Sequence, residues 1–297
     1  MNPSCLDSER LLALDSSIAP GDPLAELVAT VSVADLRASE SLAEKAAKSK
    51  PNIRQDVDGV AIVNIAGSLR SDPGFRRVLE VYFGLPISAT YGEMRAAVRE
   101  ARGDASIHST VLRISSPGGS VFGVGELADE VYGMRKGGYR IKAYAQDMAA
   151  SAAYWIGAQA GEVVANEVAH VGSIGVFSVL VDSSKAAEAA GYRVVPVRST
   201  AGKAGIVDGA PIEDAAVEHL RELIEDVAGV FVGAVARGRG LAREDAEKLH
   251  NGRVYVGQKA RAAGLVDRIA SFDEFVMGEI RAVRQLRSEK ARARMAG

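Results

Sequence analysis

Ile141-Lys142-Ala143-Tyr144-Ala145 is followed closely by Met148-Ala149-Ala150-Ser151-Ala152-Ala153-Tyr154. The first run predicts a β-strand, and residues 152–160 predict a helix. Ser151 therefore falls at a sharp strand-to-helix turn, which would aim its hydroxyl and the amides after it at a bound carbonyl. Enzymes that transfer acyl groups place a serine nucleophile at such a turn.

Short β-rich runs alternate with amphipathic helices from about Asp58 onwards. The predicted strands are 60–65, 110–114, 141–145, 163–165, 176–181 and 193–197. Helices are predicted after Thr90, after Gly119, after Pro211 and from Ser271, and the first and last of them open with capping boxes. This alternation predicts an α/β fold built on a mostly parallel sheet.

The chain divides into three predicted regions. Residues 1–57 form an N-terminal helical appendage, with helix-like patches at 9–14 and 34–47. Residues 58–278 form the α/β domain that carries the candidate chemistry. Residues 279–297 form a basic helical tail, and the basic side chains of this last helix are Arg281, Arg284, Arg287, Lys290, Arg292 and Arg294.

The composition is that of a soluble globular protein, with 297 residues, 47% of them hydrophobic and 25% charged. A formal net charge of -2 gives no general attraction to nucleic acid or anionic membrane, so neither is expected as a partner. The single cysteine, Cys5, cannot form an intrachain disulfide. No segment predicts an export signal or a membrane span, so we expect a cytoplasmic protein.

Lys203, in Ala201-Gly202-Lys203, is the candidate base for Ser151. A serine hydroxyl is a weak nucleophile, and a lysine can activate it only when its amine is neutral, which requires a closed site. The small neighbours of Lys203 leave room for such a site, and no acidic residue adjoins it. Each residue also has a simpler interpretation, Ser151 as a small packing residue and Lys203 as an ordinary loop lysine.

Two further loops contain candidate site residues. Ser115-Ser116-Pro117-Gly118-Gly119-Ser120 follows a predicted strand, and its glycines could present the amide of Gly118 or Gly119 to an oxyanion, with the Ala152 amide as second donor. A plain Pro-Gly turn is the alternative. In Val171-Gly172-Ser173-Ile174-Gly175-Val176, Ser173 could orient the lysine or be a turn hydroxyl.

Other chemistries lack a matching pattern. The glycine loop fits neither a dinucleotide fingerprint nor a P-loop. The histidines have no metal-ligand spacing and no apparent partner carboxylate for a triad, and they are His108, His170, His219 and His250. No metal or other cofactor is therefore expected.

Together these segments resemble the signal peptide peptidase A family, and most closely its phage branch of prohead or capsid-maturation proteases. The resemblance runs from about Asp58 to Phe275 and includes Gly252-Arg253-Val254-Tyr255 and Gly264-Leu265-Val266-Asp267. It implies a Clp protease/crotonase-like fold with repeated β-β-α units, assembled as a ring. It also implies roles for four residues: nucleophile for Ser151, general base for Lys203, oxyanion donor for Gly118 and lysine-orienting hydroxyl for Ser173.

The sequence departs from the family pattern in three places. Ser151-Ala152-Ala153 replaces Ser-Gly-Gly, a variation that resembles the phage branch, and Gly202 replaces the histidine before the lysine. Residues 71–90 look like a family-variable insertion, which we expect to lie over the substrate groove. Its apolar residues are Phe75, Tyr82, Phe83 and Leu85.

The sequence thus predicts a serine endopeptidase with a Ser151–Lys203 dyad. We expect it to form homo-oligomers and to process capsid scaffold or head proteins in a bacterial host. A cytoplasmic bacterial protease of the signal-peptide-peptidase type is one alternative. Another is a crotonase-like acyl-CoA enzyme, for which Glu126 is the carboxylate near the glycine loop, and a third is a catalytically silent assembly protein.

Overall fold

The computed structural model describes residues 45–46, 48–82, 85, 87–200 and 202–295. The helical patches predicted at 9–14 and 34–47 lie outside these residues, apart from residues 45 and 46, which are helical. The elements in chain order are β1 (Arg54–Val57), β2 (Val60–Leu69), α1 (Gly74–Tyr82), α2 (Tyr91–Gly103), β3 (Ser109–Gly119), α3 (Val124–Lys136), β4 (Arg140–Ala150), α4 (Ala152–Gly157), β5 (Val163–Ala165), β6 (His170–Gly172), α5 (Ser184–Ala189), α6 (Asp214–Arg239), α7 (Arg243–Lys248), β7 (Val254–Val256), α8 (Gln258–Ala262), β8 (Arg268–Ile269) and α9 (Phe272–Met295).

A single mostly parallel sheet organises the described residues. Its strand order is β1-β2-β3-β4-β5-β8, with β6 paired to β4 and to β7. The β1–β2 and β6–β7 pairs are antiparallel, and the other described pairs are parallel. The predicted α/β fold is thereby confirmed, and the strands predicted at 60–65, 110–114, 141–145 and 163–165 lie within β2, β3, β4 and β5.

The three longest strands begin at the same level. Val60 of β2 lies opposite Ser109 of β3, which in turn lies opposite Arg140 of β4. Because the strands are parallel, their carboxyl ends meet at one edge of the sheet, where open α/β sheets bind ligands. The last residues of β3 and β4, together with the turns that follow them, therefore lie close together.

Helices cover both faces of this sheet, as the nearly continuous burial of β2 and β3 requires. On one face, α2, α3 and α4 bury side chains such as Met94, Leu127 and Trp155. On the other face, α9 packs Phe275 and Val283 against the sheet. Both predicted capping boxes are present, at the N-termini of α2 and α9.

Two predicted strands are wrong. Residues 176–181 and 193–197 are extended or irregular and pair with no strand among the described residues. Both runs are rich in β-branched and aromatic residues, but many of their apolar side chains are exposed: Phe177 is 84% exposed and Val197 is 95% exposed. A strand needs a pairing partner as well as a pattern, and the described part of the chain supplies none here. We call residues 176–200 and 202–213 the arm.

Side-chain hydrogen bonds close the arm at its base. The Gly209 amide donates to Ser183 Oγ at 2.8 Å, and the Ile212 amide donates to Asp182 Oδ2 at 3.3 Å. Arg198 forms an ion pair with Glu213. The arm is therefore a folded excursion between β6 and α6.

The helix predicted after Pro211 is confirmed as α6, but only part of it is buried. The C-terminal half contributes Phe231 and Val235 to the core, whereas Val217 and Leu223 in the N-terminal half are 36% and 48% exposed. The two longest described helices, α6 and α9, carry charged side chains along their length. No described helix combines the length and the apolarity that a bilayer span requires.

The domain boundaries at 57/58 and 278/279 stay predictions. In the structure β1 pairs with β2, and α9 runs without interruption across residue 278.

Just beyond residue 278, Glu279 of α9 is buried and accepts hydrogen bonds from Ser109 Oγ at 2.8 Å and Arg140 Nη2 at 2.7 Å. It also pairs with Lys142 Nζ at 2.7 Å. Burial raises the pKa of Glu279, but Lys142, Ser109 and Arg140 outweigh burial and hold the pKa below its ordinary value.

Through these contacts Glu279 anchors α9 to β3 and β4. Glu279→Gln should lower the free energy of unfolding at pH 7 by about 1–3 kcal/mol, because the cations of β4 lose their carboxylate. A depressed pKa in the folded state contributes stability above the unfolded pKa, and this contribution is lost as the pH falls through the folded pKa. The difference from the wild type should therefore shrink below about pH 4. Denaturant titration at several pH values measures it.

Glu289→Gln is the matched control, because Glu289 lies on the same helix and is exposed. Equal stability of the two variants at pH 7 would contradict the anchoring role of Glu279.

Candidate active site

Ser151 occupies the turn between β4 and α4, as its sequence position predicts. Its backbone has φ +52° and ψ -127°, a conformation that a non-glycine residue adopts only under constraint. The Ser151 amide donates to the Gly172 carbonyl at 2.8 Å, and the Ser151 carbonyl accepts from the Trp155 amide at 2.9 Å. The hydroxyl makes no capping bond to the described helix α4. The turn is therefore fixed through its backbone.

The glycine loop at the end of β3 lies in direct contact with this turn. A Cβ atom placed on Gly118 would come within 2.7 Å of Ser151 Cβ and 3.0 Å of the Ala152 amide nitrogen. The φ of Gly118 is +103°, which side chains rarely allow. Gly118 is thus required both by the close approach and by the backbone conformation.

The amides of the glycine loop are not equivalent. The Gly118 amide donates to Ser116 Oγ at 3.1 Å. The Ser120 amide donates to the Leu69 carbonyl of β2 at 2.9 Å. The amides of Gly118 and Ser120 are therefore already hydrogen-bonded within the protein.

Ser173 lies beside Ser151 because the two neighbouring strands hold them in register. Gly172, the last residue of β6, is paired with Ala150, the last residue of β4. Ser173 follows directly, with φ +52°, and its amide donates to the Arg253 carbonyl at 2.7 Å. Two serines with positive φ therefore stand next to each other at the same edge of the sheet.

These residues line one cavity of about 1070 Å³. Ser151, Ser173, Gly118 and Gly119 all contribute to its wall. Most of the remaining wall is apolar, and the side chains that form it are Leu69, Pro117, Val121, Phe122, Val176, Phe177, Leu220, Leu223, Ile224 and Val227. A cavity of this size and lining can hold several residues of an extended peptide with apolar side chains.

The structure does not place Lys203 in this cavity. Lys203 is exposed on the arm, where its amide donates to the Thr200 carbonyl at 3.1 Å. The same turn packs against the start of α6 through Gly205 and Ala216. Of the predicted site residues, Ser151, Ala152, Gly118, Gly119 and Ser173 lie together, and Lys203 lies apart from them.

Two other sequence-based predictions bear on the cavity. Glu126, the carboxylate that an acyl-CoA enzyme would need, is exposed on α3 and is not among the residues that line the cavity. The predicted insertion, 71–90, contributes Ser71 and Asp72 to the lining, and Phe83 lies outside the described residues. That the insertion lies over a substrate groove stays a prediction.

Sequence reasoning missed two contributions to the site. The apolar wall from α6 shows in the sequence only as a helical stripe, and such a stripe does not reveal whether it faces the core or a cavity. The role of Ser116 has no distinctive pattern either, because in the sequence it is one of several small residues between a predicted strand and the glycines. Its hydroxyl is buried between the two strands that support the glycine loop.

Comparison with known proteins gives consistent matches. Residues 134–284, about half of the chain, match the model of peptidase family S49. Protease 4 of Haemophilus influenzae is 32% identical over 179 residues, which are 60% of this chain and 29% of that protein. Capsid assembly protease C of Escherichia phage lambda is 29% identical over 226 residues, which are 73% of this chain and 48% of that protein.

A third relative is a putative signal peptide peptidase SppA of Enterococcus faecium, 28% identical over 172 residues, which are 58% of this chain and 50% of that protein. The chain thus spans half or less of the length of these three relatives.

A strained serine at a strand-to-helix turn, held against a glycine loop in an apolar cavity, is the arrangement of enzymes that use a serine nucleophile. The chain belongs to peptidase family S49, the family of signal peptide peptidase A. The predicted family of serine peptidases is thereby confirmed. Bacterial and phage relatives match at similar identity, so the comparisons do not single out the phage branch.

The second prediction tests the contact between the loop and the turn. Gly118→Ala should reduce peptidase activity at least about 100-fold, because the new methyl group displaces Ser151 or the loop by a large fraction of an ångström. The positive φ adds a strain of about 1–2 kcal/mol, so the variant should also unfold more easily. Peptide cleavage and thermal unfolding measure the two effects.

Gly125→Ala is the control, because a Cβ on Gly125 meets nothing within 4 Å. It lies in α3, where alanine favours the helix. If Gly118→Ala were as active as Gly125→Ala, the close contact would not support catalysis.

Proposed function

We propose that the chain is a serine endopeptidase in which Ser151 is the nucleophile and Lys203 the general base. The observation that carries the proposal is the contact of Gly118 with Ser151 and the Ala152 amide inside an apolar cavity. Membership of family S49 supports the reaction class. The chain itself supplies all the groups that this chemistry needs, and no metal or cofactor is required.

In this mechanism Ser151 Oγ attacks the carbonyl carbon of the scissile peptide bond while its proton passes to the neutral Lys203 amine. The carbonyl oxygen becomes an oxyanion, which the amides of Gly119 and Ala152 stabilise. We assign this role to Gly119 rather than Gly118 because the Gly118 amide already donates to Ser116 Oγ. Ser173, beside Ser151, would accept a hydrogen bond from the lysine and orient it.

Collapse of the tetrahedral intermediate breaks the carbon–nitrogen bond, and the departing amine takes the proton from Lys203. An acyl-enzyme ester on Ser151 remains. Water then attacks the ester, with Lys203 again as the base, and releases the second product and the free Ser151 hydroxyl.

Ser151→Ala should abolish cleavage, with a loss of at least about 1000-fold, because the acyl-enzyme cannot form. The side chain occupies a small site, so the variant should fold like the wild type. The measurement is digestion of a mixed peptide library, followed by mass spectrometry of the products. Ser106→Ala, at the opposite end of β3, is the control and should retain full activity. Cleavage by Ser151→Ala at the wild-type rate would refute the proposal.

Lys203 must approach Ser151 and be shielded from water before it can act as a base. In the single chain it is exposed, as are apolar side chains of the same arm: Val181 is 78% exposed and Val197 is 95% exposed. Apolar surface of this kind is typical of a protein interface. We therefore propose a homo-oligomer in which the arm packs on a neighbouring copy and delivers Lys203 to the Ser151 of that copy.

Mixing two inactive variants tests this arrangement. Ser151→Ala and Lys203→Met should each be inactive, and co-expression in equal amounts should restore about a quarter of the wild-type activity, because random assembly pairs an intact serine with an intact lysine at about one site in four. Ser151→Ala co-expressed with the double variant is the control and should stay inactive. No recovery in the first mixture would show that serine and lysine act within one chain.

The apolar cavity favours substrates with apolar side chains near the cleaved bond. As biological substrate we propose a capsid scaffold or head protein. The support is the match to capsid assembly protease C of phage lambda, which covers 73% of this chain. This step is tested by co-expressing the chain with candidate head and scaffold proteins and measuring the intact mass of every product. Unprocessed head proteins, with library peptides still cleaved, would favour a bacterial cytoplasmic substrate.

A further inference from the structure

Ser116 is buried, with 1% of its surface exposed, and its hydroxyl bridges two strands. Ser116 Oγ donates to the Gly67 carbonyl of β2 at 2.7 Å and accepts the Gly118 amide of its own strand at 3.1 Å. The mechanism proposed above gives this hydroxyl no task. In the sheet Ser116 is paired with Ala149, two residues before Ser151, so its hydroxyl is buried near the proposed nucleophile.

Both strands are irregular at the level of this hydroxyl. The β2–β3 register shifts between Ala66 and Ser68, and the β3–β4 register shifts between Ile114 and Ser116. Gly67, inside the first shift, has φ +71°, so the chain turns there in a conformation that favours glycine. Bulges of this kind re-aim groups near active sites. Here the Gly67 carbonyl is directed to Ser116 instead of continuing the ladder.

The other end of the glycine loop is also fixed. The Ser120 amide donates to the Leu69 carbonyl at 2.9 Å, and Tyr91 Oη donates to the Ser120 carbonyl at 2.7 Å. The segment between these fixed points contains Gly118 and Gly119. Its position next to Ser151 therefore depends on the Ser116 hydroxyl at one end and on Ser120 at the other.

We propose that Ser116 is a positioning residue for the oxyanion site. Its hydroxyl holds the Gly118 amide away from the cavity, and this orientation directs the next amide, that of Gly119, to the oxyanion of the tetrahedral intermediate at Ser151. Ser116 does not touch the substrate. The inference rests on the proposed function, since an oxyanion has to form at Ser151.

Removal of the Ser116 hydroxyl should destabilise the transition state and leave the affinity for the substrate unchanged. In Ser116→Ala the Gly118 amide loses its acceptor, so the peptide plane between Gly118 and Gly119 can rotate. We expect kcat to fall about 10- to 100-fold, part of the effect of losing one oxyanion donor, with KM and the pH profile of kcat unchanged. Ser116→Cys keeps most of the volume but bonds weakly through sulfur, so it should show the same loss.

The affinity for a peptide aldehyde, compared with that for a product peptide, distinguishes a positioning role from a purely structural one. The adduct of the aldehyde with Ser151 places an oxyanion between the donors, whereas the cleaved product peptide binds without one. Both variants should bind the aldehyde about 10- to 100-fold more weakly than the wild type and bind the product peptide equally well. Ser115→Ala is the matched control: its hydroxyl donates to Asp147 at 2.9 Å on the exposed side, and it should behave like the wild type.

The outcomes separate the two proposals. If the wild type neither cleaves peptides nor binds the aldehyde, the proposed function is wrong. If the wild type is active and Ser116→Cys retains wild-type kcat and aldehyde affinity, the positioning role is wrong and the function stands. A parallel loss of aldehyde and product binding in Ser116→Cys would also overturn the positioning role, because it would indicate general damage to the cavity.

Discussion

The close approach of Gly118 to Ser151 is the constraint on which the rest of the site depends. A Cβ on Gly118 would meet Ser151 Cβ at 2.7 Å, so the loop after β3 and the turn after β4 share one contact surface. The parallel register of β2, β3 and β4 produces this contact, because it brings their carboxyl ends to one edge. The strain at Ser151 persists because the backbone bonds to Gly172 and Trp155 fix the turn.

The two residues of the proposed catalytic pair lie in different surroundings. The proposed nucleophile and the proposed amide donors lie at the end of the buried sheet. The proposed base lies on an arm with exposed apolar side chains, such as Val197, which is 95% exposed. Separating the two halves of a catalytic pair in this way would make activity depend on assembly. For a peptidase that cuts other proteins, such a dependence would limit cleavage before assembly.

The sequence predicted the sheet and the strand-to-helix turn at Ser151 well because both leave local patterns. Apolar strands, capping boxes and the Ser151 turn each occupy short segments whose residue types are constrained. The prediction failed at 176–181 and 193–197, where the strand pattern is real but the described chain offers no partner strand. The positions of Lys203 and Ser116 could not be predicted either, because both depend on contacts between segments far apart in the sequence.

If Ser151 is the one serine activated for attack, a reagent that reacts with activated serines should label it alone. The protein is incubated with a serine-reactive phosphonate, digested, and mapped by tandem mass spectrometry. We expect a single adduct on Ser151, with none on Ser116, Ser120 or Ser173. An adduct on one of those serines, or an absence of labelling in a protein that cleaves peptides, would contradict it.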